Sequence, residues 1–154
     1  MKKCLFAGSF DPITLGHLNI IEHVSVLFDT VIIAVAEGKG NSVKRLELVK
    51  RAVCDIKNVT AEVFDGMLTS YANSKNGTTL IRGLRNTVDF EYEKSLAAAY
   101  RSQDKNLQIL YIISPPELCH VSSTTVREIA GYGGDLTGYV PKSVQNEISS
   151  YYKK

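Results

Sequence analysis

Five short apolar runs rich in β-branched and aromatic residues alternate along this sequence with segments whose apolar residues recur at helical spacing, and that alternation constrains the fold more than any other feature. The runs cover residues 3–7, 30–36 (TVIIAVA), 59–64, 79–82 and 108–113. They lack the apolar/polar alternation of a strand with one wet face, so each reads as a strand covered on both sides. Between them, Leu18, Ile21, Val24 and Leu27 mark a helix over 16–27. Leu46, Val49 and Val53 mark another over 44–54, and Val88, Tyr92, Leu96 and Tyr100 a third over 88–102. Strand, helix, strand in succession predicts an α/β fold: a Rossmann-like, doubly wound, five-stranded parallel sheet with helices on both faces. In such sheets ligands gather beyond the carboxyl ends of the strands, so the loops following the runs are where chemistry is expected.

Composition narrows the rest. With 154 residues and 44% of them hydrophobic, the chain is expected to be a single domain over 1–154. A net charge of +2 without a run of five like charges argues against a nucleic-acid partner. The apolar runs fall short of a membrane span, and the N-terminus carries no long apolar stretch, so a cytoplasmic protein without a membrane partner is expected. Cys4, Cys54 and Cys119 are odd in number and lack CxxC spacing, which reads as three reduced thiols rather than a disulfide frame or a zinc site.

Three strand-end segments carry candidate chemistry. The first run is followed by GSFDPITLGH, residues 8–17. Gly8 lets a phosphate approach the backbone, Ser9 offers a hydroxyl, Pro12 stiffens the turn, and His17 falls in the first turn of a helix whose dipole favours an anion. A long turn capped by Asp11 with a surface histidine would account for the same residues, and their types alone leave both readings open. The second segment, IRGLRNTVDFEYE over 81–93, sets Arg82 and Arg85 at one crevice, where two guanidinium groups suit phosphates. The alternative is that both pair with Asp89, Glu91 or Glu93. The third, VSSTTVRE over 121–128, opens a helix with a row of hydroxyls. Thr125 and Glu128 fit a capping box there, and the remaining hydroxyls with Arg127 suit a second anion. Neither the dinucleotide fingerprint nor a P-loop is present.

Thr14-Leu15-Gly16-His17 resembles the TxGH form of the HxGH signature of the nucleotidyltransferase superfamily, and residues 121–127 resemble its ISSTxxR signature. GSFDPIT, IRGLR, DFEYE and DLTGYVP together closely resemble the bacterial phosphopantetheine adenylyltransferase family over essentially the whole chain. The resemblance implies adenylyl transfer from ATP to 4′-phosphopantetheine, with dephospho-CoA and pyrophosphate as products, in coenzyme A biosynthesis. It assigns His17 to the α-phosphate, Ser9 to both substrates and Phe10 to a place beside the nucleotide. It puts Arg82 on the pantetheine side, as it does Leu68 in the loop after the third strand. Gly83, Leu84, Arg85, Glu93, Leu118, Cys119, His120, Val121, Ser122, Ser123 and Thr124 then line the ATP side. Magnesium is expected with the triphosphate, no protein metal site is expected, and a homohexamer is implied.

The chain departs from the family pattern in two places. The loop after the second strand, EGKGNSVKR, is short, and the family's phosphate-contacting lysine falls on Lys39 or, alternatively, on Lys44. His120 stands where an aromatic is usual; it either stacks on adenine or is a satisfied loop histidine. Cys119 has no evident catalytic role, and His23 reads as structural. Two other readings remain at the sequence level: a nucleotidyltransferase acting on nicotinate mononucleotide or using CTP, and a nucleotide-binding module without turnover.

Overall fold

The computed structural model describes residues 1–154 apart from Lys39 and Gly77. Its order is β1 (Lys3–Gly8), α1 (Leu15–Leu27), β2 (Thr30–Ala36), α2 (Ser42–Ala52), β3 (Val59–Phe64), α3 (Leu68–Ser74), β4 (Thr78–Leu84), α4 (Thr87–Gln103), β5 (Ile109–Ile113), α5 (Ser123–Gly131) and α6 (Gln145–Tyr152), with 3-10 turns at Pro116–Leu118 and Lys142–Val144. All five strands are parallel, in the order β3-β2-β1-β4-β5. The chain winds outward from β1 through β2 to β3, then returns to the other side of β1 with β4 and β5. The winding therefore reverses between β1 and β4, which leaves a crevice at their carboxyl ends.

The continuous apolar runs have the expected cause: alternate residues of one strand enter different cores. Cys4 and Phe6 of β1, Val31, Ile33 and Val35 of β2 and Ile81 of β4 pack under Ile20, Ile21 and Val24 of α1, Leu48 and Val49 of α2, Val126 of α5 and Ile148 of α6. Leu5, Ala7, Ile32, Ala34 and Leu80 point the other way, toward Ala72 of α3, Leu107 and Tyr100. The edge strand β5 leaves Leu110 and Ile113 exposed.

The expected strands lie within two residues of those observed. The third of the expected helices extends to Thr87–Gln103, and two helices escaped notice. LTSYANS forms α3 although Thr, Ser, Asn and Tyr are weak helix formers; buried Thr69 and Ala72 anchor it by packing. α6 likewise is held by one buried residue, Ile148. The expected Thr125/Glu128 capping box is corrected one turn back: Ser122 is the N-cap of α5 and accepts the Thr125 amide at 3.0 Å.

Candidate active site

At the carboxyl ends of β1 and β4 lies a cavity of about 530 Å³, lined by residues from all three strand-end segments. Of the residues singled out from sequence, the structure brings together Ser9, His17, Arg82, Gly83, Arg85, Glu93, Val121, Ser122, Ser123 and Thr124. Thr14, Ile20, Asp89, Tyr92 and Ser114 join them. A volume of this size accommodates a small-molecule ligand.

His17 is fixed by its own helix start. Thr14 is the N-cap of α1: its side chain accepts the His17 amide at 3.3 Å, and its own amide donates to His17 Nδ1 at 3.1 Å. This is a capping box with histidine in the place usually taken by Glu or Gln. Because an amide can only donate, Nδ1 must accept, and the proton of the neutral ring sits on Nε2. Burial, and then the positive charge of Arg85, push the His17 pKa down from 6.5 to about 4. At neutral pH the side chain is thus an uncharged donor with its donating nitrogen opposite the cap.

The loop before it is held by unusual packing. Phe10 adopts φ +46°, a left-handed backbone that a bulky residue takes up only when its surroundings dictate it. Here its ring is almost fully buried, edge-on to Phe6 at 5.4 Å and tilted against the His17 ring at 4.9 Å. The Phe10 side chain supports His17 from within the core. The alternative of an Asp11 cap is corrected, since Thr14 caps the helix and Asp11 accepts from the Tyr152 hydroxyl at 2.6 Å.

Both arginines of β4 and its following turn reach the cavity, and both are paired. Arg82 donates through Nε at 2.8 Å and through Nη2 to the buried carboxylate of Glu93. Arg85 donates through Nε at 2.9 Å and Nη2 at 3.2 Å to Asp89. For Asp89, burial opposes the charge, yet the bonds from Arg85 outweigh it and hold the carboxyl below its ordinary pKa. The pairing alternative is therefore realised, while both groups remain at the cavity wall. An incoming anion meets guanidinium groups already oriented by acids rather than free chains.

Other expected residues fall elsewhere. Leu84 is buried at the end of β4. Leu68 opens α3 rather than a loop, and packs on the opposite core. Leu118 and Cys119 belong to the 3-10 turn and its cap beyond the cavity lining, with the Cys119 thiol directed at the carbonyls of Ser114 and Pro115. His120 is exposed and stands edge-on to Tyr139 at 5.5 Å. Lys44 is held by Glu147 of α6, with Glu47 at 3.7 Å, so it ties two helices together away from the cavity. Lys39 lies outside the described residues. Arg127 donates to the Asp11 carbonyl at 2.5 Å and to Thr124 at 3.3 Å, and it stands outside the cavity lining. His23 is exposed and bonds the Asn19 carbonyl at 2.8 Å. The three cysteines are free.

One residue that sequence reasoning missed holds the loop from below. Arg45 of α2 is almost fully buried, and its guanidinium donates to the carbonyls of Ser9 and, at 2.9 Å, Ala36. It thus fastens the ends of β1 and β2 together. In the run VKRLELVKR it is indistinguishable from a solvated helix residue, and only its place in the fold reveals it.

Among the described residues no cluster of three or more His, Cys, Asp or Glu could hold a metal, and no helix is long and apolar enough to cross a membrane. The arrangement offers a neutral donor, a hydroxyl-lined helix start and two oriented guanidinium groups around one space. That set suits charge stabilisation on phosphates more than proton abstraction.

A family model described as cytidylyltransferase-like matches residues 5–129. The chain is 36% identical to the phosphopantetheine adenylyltransferase of Shouchella clausii, covering 100% of both sequences. It is 36% identical to that of Caldanaerobacter subterraneus subsp. tengcongensis (100% of this chain, 99% of the relative), and 37% identical to that of Clostridium beijerinckii (97% and 98%). A solved structure described as a nicotinate-nucleotide adenylyltransferase from Vibrio parahaemolyticus superposes with a TM-score of 0.71 at 20% identity, over 100% of this chain and 97% of that one, which is a likeness of fold. On these matches the chain belongs to the cytidylyltransferase-like nucleotidyltransferases and, among them, to the phosphopantetheine adenylyltransferase family.

Proposed function

We propose that this chain transfers the adenylyl group of ATP to 4′-phosphopantetheine, giving dephospho-CoA and pyrophosphate, in coenzyme A biosynthesis. The observation that carries the chemistry is the capped, neutral His17 set between two strand-end segments in one cavity. The full-length relatives favour phosphopantetheine over nicotinate mononucleotide or a CTP-dependent reaction.

In the reaction an oxygen of the phosphopantetheine phosphate bonds to the α-phosphorus of ATP. The bond from that phosphorus to the bridging oxygen of the β-phosphate breaks, and pyrophosphate leaves with the electron pair. A phosphate monoester is already an anion near neutral pH, so no base has to prepare it. Alignment and relief of charge are what remain. His17 donates from Nε2 to the α-phosphate as its charge grows, and the start of α1 adds its dipole. Ser9 stands where both substrates meet. Arg82 receives the phosphopantetheine phosphate, while Gly83, Arg85, Glu93 and the start of α5 at Val121–Thr124 face ATP. Lys39 is the candidate for the family's mobile phosphate-contacting lysine.

Magnesium would enter with ATP rather than through a cluster of protein carboxylates, and would there offset charge on the triphosphate, since hard cations of this kind take oxygen ligands. The protein acts in the cytoplasm, in keeping with its free cysteines. It assembles as a homohexamer, which the exposed apolar side chains of Val88, Phe90 and Ile113 support. Pyrophosphate release from ATP with phosphopantetheine, set against nicotinate mononucleotide and against CTP, tests the assignment. Release with phosphopantetheine alone is expected, and silence with phosphopantetheine beside turnover of either rival would overturn it.

A further inference from the structure

The loop over residues 9–14 is fastened by side chains of α2 and α5, of which Ser123 also lines the cavity while Arg45 and Arg127 do not. Arg45 takes the Ser9 carbonyl, Arg127 the Asp11 carbonyl at 2.5 Å, and Ser123 the Pro12 carbonyl at 2.8 Å. The Asp11 side chain has a partner of its own: Tyr152, at the end of α6, donates its hydroxyl to Oδ1 at 2.6 Å, and Arg127 stands 3.6 Å from Oδ2. Burial, and then the bond to Asp11, push the Tyr152 pKa upward, so this hydroxyl remains a donor across the working pH range. Tyr152 also lines a second cavity of about 480 Å³, with Arg127, Glu128, Tyr132 and Lys154. The ring packs in part against the main core, and the hydroxyl bond is what ties it to Asp11.

Asp11 lies next to Phe10, whose ring packs on His17 at 4.9 Å, and three residues before Thr14, whose amide holds His17 Nδ1 at 3.1 Å. Any drift of Asp11 is thus passed along a short, tightly packed segment to the reacting donor. We propose that Tyr152 is a positioning residue for the transfer reaction: through Asp11 it holds the 9–14 loop, and with it His17, in the geometry the α-phosphate requires. The proposal rests on the adenylyl-transfer reading of the cavity. Misplacing a catalytic group by about 1 Å costs on the order of a hundredfold, so loss of one strap on a loop with several others should cost about tenfold.

Tyr152→Phe removes only the hydroxyl, and the variant is measured beside Asp11→Ala, the double variant and Tyr151→Phe, an exposed neighbour. Expected is a kcat about tenfold lower in Tyr152→Phe, with KM for both substrates and Tm nearly unchanged. NMR titration of His17 in the same variant should show its pKa rising from about 4 toward 6.5, because loosening the Thr14 amide contact removes support from the neutral ring. Once Asp11 is alanine, the second substitution should add nothing. Tyr151→Phe should behave as the parent. An unchanged kcat, losses that simply add, or a lower kcat with His17 titrating as in the parent would each overturn the proposal. If the parent fails to transfer adenylyl to phosphopantetheine, the functional reading falls, while the His17 titration still decides whether Tyr152 positions the loop.

Discussion

His17, on the proposed mechanism, works because it is not charged: its depressed pKa keeps the ring neutral, and Thr14 keeps its proton on Nε2. NMR titration should find it near 4 in the free protein, and AMP or ATP in the cavity should raise it, since a phosphate beside Nε2 favours imidazolium. A value near 6.5 that ligand leaves unmoved would contradict this placement. The same shift has a consequence for stability. The unfolded chain takes up a proton on this histidine below about 6.5, the folded chain only near 4, so acid removes stability across that window. The arginines differ in kind. Arg82→Lys keeps a charge but loses the two-pronged grip on buried Glu93, whereas Arg85→Lys loosens an exposed i,i+4 pair. Arg82→Lys should weaken phosphopantetheine binding about tenfold, corresponding to roughly 1–3 kcal/mol for a charge-assisted bond, and leave ATP nearly untouched. Arg85→Lys should do the reverse. Calorimetric titration of each variant with each substrate decides, and an equal loss of the same ligand in both would show that the two form one site. At this scale the sequence revealed residues whose work is local. Gly8 to His17 and the hydroxyls of 122–124 announce a turn and two helix starts, which short-range chemistry dictates. Arg45 and the contacts of Arg127 went unread because they depend on partners far along the chain, Ser9 and Asp11, and the inward turn of Phe10 depends on its left-handed backbone.

Helix starts and strand ends do most of the placing. Ser122 caps α5 through the Thr125 amide, so Ser122→Ala should cost about 1 kcal/mol by denaturant unfolding. An unchanged midpoint would mean that Thr125 or water takes over the cap. A sharper constraint lies where α1 crosses β4. A Cβ on Gly83 would come within 2.5 Å of Cδ1 of Ile20, a buried residue that also lines the cavity. Gly83→Ala should therefore destabilise by about 1–3 kcal/mol through overpacking, and adding Ile20→Val, which deletes that methyl, should restore most of it. Failure of the second change to rescue would place the cost in the backbone rather than in this contact. The inner strands β1, β2 and β4 were legible as short apolar runs buried on both faces, and the edge strands β3 and β5 by their length and β-branched residues although they are only partly covered. α3 and α6 were not, since one is seven residues and the other eight, and each is held by one or two buried contacts that propensity does not show.

Across the whole molecule, the reversal of winding between β1 and β4 decides where a ligand can sit, and the three strand-end segments converge there because every strand runs the same way. The alternation of runs foretold a parallel, doubly wound sheet, but not the order β3-β2-β1-β4-β5, which depends on which edge each crossover takes. Nor did it foretell that α6 returns across α5 to bring Tyr152 to Asp11. The central claim is that this scaffold presents a neutral histidine to charge that appears on the α-phosphate only in the transition state. Its most direct test is single-turnover adenylyl transfer by His17→Ala, with ATP affinity measured on the same protein. The account predicts turnover lower by about 10²–10³-fold with ATP affinity nearly intact. A near-normal kcat accompanied by weakened ATP binding would contradict it.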